Sequence, residues 1–167
     1  MTARPEAWLR GPLPGIPAPL QPVAHALVQA REDLDRVVPA IPAGALWAAP
    51  GAAAPAGYHL RHLAGALDRL TTYARGEALT DAQRADLAGE REFAGTATDL
   101  LARAHAVLDA VHAQLERTDV ATLTDARSVG RAGLPATVLG LLVHAAEHTT
   151  RHVGQLITTV KALQGTG

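Results

Sequence analysis

Residues 143–156 read VHAAEHTTRHVGQL, and their spacing decides both the architecture and where function is to be sought. His144, His148 and His152 follow one another at intervals of four. Four residues is close to one helical turn, so on an α-helix such side chains are neighbours on one face, with about 6 Å between their Cα atoms. Two imidazoles so placed converge on one cation at Zn–N distances of about 2.0–2.1 Å, and neutral imidazole is the commonest protein ligand for transition metals. The spacing predicts a helix over 135–165, opened by Pro135 and closed by Gly165. Its positions divide into two faces. Gly140, His144, Glu147, Arg151 and Thr158 share a polar one, expected to meet solvent. Leu141, Ala145, His148, His152, Leu156, Thr159 and Leu163 share a mostly apolar stripe, where an imidazole needs a partner. His144 is therefore expected at the rim. It also lies about 12 Å along the axis from His152, too far to share one ion. This helix supplies two ligands, and a third has to come from another element.

Working back along the chain, 96–117 carries Leu101, Ala104, Leu108, Val111 and Leu115 at helical spacing. Residues 118–133 read as a loop. Thr80 and Gln83 form a capping-box pattern that opens a short polar helix to about residue 92. The segment 58–75 repeats Leu60, Leu63, Leu67, Leu70 and Ala74, with Gly76 to close it. It also offers His59 and His62, of which His59 lies almost on the leucine stripe and His62 just beside it; periodicity allows either as the third ligand. A first helix runs from Pro22 through Leu27, Leu34 and Val37 and stops before Pro39, followed by a Pro-, Gly- and Ala-rich loop anchored by Trp47. Pro5, Pro12, Pro14, Pro17 and Pro19 make 1–21 an expected extended arm. Four long helices predict an all-α four-helix bundle as one domain over 22–167.

Composition agrees. Apolar residues make up 48% of the 167 residues but aromatics only 3%, so the core is built from Ala, Leu and Val, which suits closely packed helices. Cysteine is absent, which excludes disulfides, thiolate ligands and a cysteine nucleophile, and leaves nitrogen and oxygen to hold any metal. A net charge of −1 without a basic block gives no reason to expect nucleic-acid binding. No stretch approaches the length of a membrane span and no signal peptide is recognisable, so a cytoplasmic location is expected.

HTTRHVGQL, from His148, resembles the H-x-x-x-H-x-G-Q signature of the DinB/YfiT-like metalloproteins, a family distinct from the DNA polymerase of similar name. HLAGALDRLTTYARGE, from His62, more weakly resembles that family's second-helix segment. The resemblance covers nearly the whole chain in helix order. It implies an up-down-down-up bundle and often a homodimer. It implies His62, His148 and His152 as ligands of a divalent metal with open coordination positions, with Gly154 and Gln155 following the last ligand. Zinc or nickel suits such a set, with iron or manganese as alternatives. Some relatives transfer low-molecular-weight thiols, which makes a metal-dependent thiol S-transferase or a hydrolase the expected activity. The alternative is a non-catalytic, stress-related bundle whose metal is structural. His59 and His144 are additions that the motif does not require, with an extra ligand or an outer-shell role open to them.

Other residues carry less. His105 and His112 are expected on the polar side of the third long helix. Glu147 stands in the wrong place for the zinc-protease H-E-x-x-H motif. Asp68 and Arg69 read as an exposed charge pair. Ser128, the only serine, has no nucleophile-elbow context.

Overall fold

The computed structural model describes residues 4–165. Five α-helices and one small hairpin follow in the order α1 (Gln21–Val37), α2 (Ala56–Ala74), α3 (Asp81–Ala88), α4 (Ala97–Arg117), β1 (Ala126–Val129), β2 (Leu134–Thr137) and α5 (Val138–Gln164). The four long helices share one apolar core: α2 packs on α5 and α4, and α1 on α5 and α4. Leu34, Leu60, Leu63, Leu115 and Leu156 are fully buried there. Each stabilises the fold by roughly 1.5–3 kcal/mol relative to remaining exposed.

The helix ends follow local chemistry. At α4, Thr96 Oγ1 accepts from the backbone N–H of Asp99 while an Asp99 carboxylate oxygen accepts from that of Thr96. The α2 helix ends in a Schellman turn: Gly76, at φ +78°, donates to Tyr73 O and Glu77 donates to Thr72 O. The capping box expected at Thr80 and Gln83 opens α3. The Gln83 amide also reaches Asp68 Oδ2 at 2.9 Å and Thr72 Oγ1 at 2.8 Å. Since α3 buries none of its own residues, polar contacts of this kind hold it on α2.

Several expectations need correction. The segment after α4 is not all loop and the fold is not purely helical, because β1 and β2 pair antiparallel with Ser128 opposite Pro135. Glycines at 130 and 133, both at positive φ, turn the chain between them. Pro135 therefore belongs to a strand, and Thr137 opens the last helix by accepting from Gly140 N–H. The N-terminal arm, in its described part, is not simply extended. Ala7–Arg10 and Ala18–Leu20 form 3-10 turns, and Ala7, Ile16 and Leu20 are buried. Arg10 grips Glu32 with two hydrogen bonds of 2.6 and 2.7 Å, and Gln21 ties down Leu13 and Ile16, so side chains of α1 strap the arm in place. On α4 the buried stripe passes through Leu100 rather than Leu101.

Candidate metal centre

The close packing of α2 on α5 brings the two histidine clusters together. Leu60, Leu63 and Leu67 turn one face of α2 to the core, and Leu141, Ala145 and Leu156 do the same for α5. That phase carries His59 and His62 towards His148 and His152. The polar face expected of α5 is exposed at all five positions, and on its stripe His148 and His152 are half-buried between buried Ala145 and Leu156.

His62, His148 and His152 each offer one ring nitrogen, and the three lie within 4.8 Å of one another. His62 Nε2 is 2.9 Å from His148 Nε2. The His152 ring centroid lies 4.4 Å from that of His62 and 4.6 Å from that of His148. Three nitrogens around one zinc at about 2.0–2.1 Å would stand roughly 3.0–3.4 Å apart, so modest ring rotations suffice. The trio is thus composed as the resemblance implies.

The two additional histidines behave differently from each other. His59 is only 5% exposed and stands behind His152, with the two Nδ1 atoms 3.2 Å apart. His144 sits at the rim, exposed, with its Nδ1 3.1 Å from Glu147 Oε2. The remaining histidines lie outside the cluster: His25 bonds Gly11 O, His105 stands 2.8 Å from Asp35, and His112 pairs with Glu116.

One expectation about α2 is overturned. Arg69 and Asp68 are not an exposed pair: Arg69 is 8% exposed and its Nη2 donates to Glu90 Oε1 at 2.5 Å. Glu90, just past α3 and 6% exposed, also accepts from His62 Nδ1 at 2.8 Å. Beside it, Asp86 takes two hydrogen bonds from Arg103 and lies 3.8 Å from Arg69 Nη1. The network passes directly over Gly65, where a Cβ would stand 2.8 Å from both Arg69 Nη1 and Asp86 Oδ2 and 2.9 Å from Glu90 Oε1. Glu90 belongs to no motif in the sequence. One signal was available for Arg69: with Gly65 it shares the face of His62, at i+3 and i+7.

Burial favours the neutral form at His59, His148 and His152. Burial, then the neighbouring His62, His148 and His59, lowers the pKa of His152 from 6.5 to about 4. Burial followed by His62 also lowers His148 and His59. Burial of Glu90 works to raise its carboxyl, but hydrogen bonds from His62 and Arg69 outweigh that and hold it below its ordinary value. Neutral imidazole is the metal-binding form. The sign for stability follows from proton counting. In the unfolded chain the rings protonate near about 6.5, whereas folded His152 does so near 4. Between those values the unfolded state binds more protons, so stability of metal-free protein falls as pH drops through that window and is flat above it. We expect the urea midpoint in chelator to fall between pH 7 and pH 5, and His152→Gln to flatten that dependence; an equally steep decline in the variant would remove His152 from the cause.

A cleft of about 730 Å³ opens beside the cluster, lined by Tyr58 and His59 of α2, by Arg151, His152, Gln155 and Thr158 of α5, and by residues 52–54. A larger one, about 1040 Å³, lies between the hairpin and the end of α2, and no histidine lines it.

Comparisons with known proteins agree with this picture. No curated protein matches the chain. A crystal structure described as a conserved protein of locus from Enterococcus faecalis superposes with a TM-score of 0.68 at 15% identity, covering 87% of this chain and 97% of that one, which is a likeness of fold. The family model of the DinB superfamily matches residues 26–156, a span that holds all three clustered histidines. The chain belongs to the DinB superfamily.

Proposed function

We propose that this protein is a metal-dependent enzyme acting on a small molecule, with a low-molecular-weight thiol as the leading substrate class and hydrolysis as the second chemistry. A divalent cation, zinc or nickel before iron or manganese, is held by His62, His148 and His152. One observation carries the reading: three imidazole nitrogens within 4.8 Å of one another, with His152 also lining an open cleft. The donor set fits, since imidazole suits zinc, nickel and iron and the chain has no competing thiolate. A divalent ion in such a site supplies Lewis acidity, lowering the pKa of a water or thiol that reaches it.

The chain's own residues do the rest. His148 and His152 present neutral nitrogens because burial disfavours their protonated forms. His59 faces His152 Nδ1 instead of joining the three, which favours an open site over one closed by four protein ligands. Tyr58 stacks on His62, with ring centroids 5.4 Å apart and planes 12° from parallel, and limits its rotation. Arg151, Gln155 and Thr158 give the cleft polar groups with which to orient a substrate. The same reading includes an up-down-down-up bundle, a homodimer and a cytoplasmic location. No helix among the described residues is long and apolar enough to cross a membrane.

Cobalt substitution tests the activity. Adding a glutathione-like or cysteinyl-sugar thiol to the cobalt protein is expected to produce a thiolate-to-metal charge-transfer band, absent in His152→Ala. A spectrum unchanged by every such thiol overturns the transferase reading and leaves hydrolysis or a structural metal.

A further inference from the structure

Resting on the metal reading above, we infer that Glu90 is a positioning residue: anchored by Arg69, it fixes His62 in the tautomer whose Nε2 lone pair faces His148 and His152. The contacts order themselves through donor and acceptor logic. An ionised carboxylate only accepts and a guanidinium only donates. Arg69 Nη2 takes Glu90 Oε1 at 2.5 Å, which turns Oε2 to His62 Nδ1 at 2.8 Å. His62 Nδ1 therefore carries the proton, and Nε2, 2.9 Å from His148 Nε2, keeps its lone pair for the centre of the cluster.

Burial makes the arrangement rigid. The side chains of Glu90 and Arg69 are 7% and 9% exposed, so little water competes for either oxygen. Gly65 gives the pair room against the α2 backbone, because a Cβ there would press on Arg69, Asp86 and Glu90 together. Metal-ligating histidines commonly donate their second N–H to a carboxylate, and removing that partner typically lowers metal affinity 10–100-fold. The bland alternative is an ion pair that only fastens α3 to α2.

Glu90→Gln separates the two. Arg69 would still claim the one amide oxygen, leaving the NH2 group to face His62 Nδ1. A donor there favours the opposite tautomer, with the proton on Nε2. Zinc and cobalt affinities, each measured with the metal alone against a chromophoric chelator, are expected to fall roughly 10–100-fold. Ring-nitrogen NMR of the metal-free protein is expected to show His62 shifting from Nδ1–H to Nε2–H. Adding Arg69→Met to Glu90→Gln frees the amide oxygen to accept from Nδ1–H, and at least half of the lost affinity, on a logarithmic scale, is expected to return. Circular dichroism and melting establish that both variants fold. Folded variants that bind metal like the parent, with an unchanged His62 tautomer, overturn the inference. So does a double variant no better than Glu90→Gln, since a mere fastener gains nothing from losing its second half. A parent chain that binds neither ion overturns the metal centre instead, and the ring-nitrogen spectra then decide the role of Glu90 alone.

Discussion

Alanine at His148 or at His152 is expected to abolish stoichiometric metal binding, with affinity falling by more than the roughly 10–100-fold typical of losing an outer-shell partner. Each supplies one of the three nitrogens gathered within 4.8 Å, and the described residues hold no other group of three or more histidines or carboxylates that could take an ion. His62→Ala is expected to behave the same way, although its ring comes from α2. His144→Ala is the internal control: its side chain is about half exposed and bonded to Glu147, so metal content should be retained. The measurement is metal per chain after dialysis against a weak chelator. Equal retention in His148→Ala, His152→Ala and the control would overturn the ligand assignment. All four variants are expected to fold, because the fully buried side chains of the core include none of these histidines.

The long helices were legible because burial imposes a 3.6-residue period on their leucines. The face of α5 holding His148 and His152 could be drawn from that period alone. The hairpin was hidden by the same logic. Its strands are four residues each and half or fully exposed, so no buried alternation marks them, and Pro135 looked like the start of a helix. The arm's docking depends on Gln21, Gln29 and Glu32 reaching back to it, contacts without a periodic signature. Within the site, family resemblance is what names the three ligands, since periodicity leaves both His59 and His62 open. Burial alone could not have separated those two. His59 is the more buried, yet it stands behind His152, while His62 reaches the cluster. Glu90 was out of reach because its partners lie 21 and 28 residues away, and only the docking of α3 brings it to them.

Removing the metal is expected to lower the melting temperature by about 5–10 °C at neutral pH. A ligand that binds only the folded state stabilises it by RT ln(1 + [L]/Kd), about 2.7 kcal/mol when the free ion is at a hundred times Kd. For a domain of this size each kcal/mol moves the melting temperature by about 2–4 °C. The three nitrogens come from α2 and α5, so the ion would join two helices far apart in the chain and stabilise the core between them. Protons compete for the same lone pairs, so the increment should shrink on acidification. Because folded His152 protonates only near about 4, that ligand stays available below the pH at which a free imidazole would be lost. Competition by protons at His152 should therefore set in only as pH approaches 4, well below 6.5. Differential scanning calorimetry with chelator and with zinc, at pH 7.5, 6 and 4.5, reads both effects. Coincident melting curves at pH 7.5 would mean that no ion joins these helices, whatever the geometry of the rings.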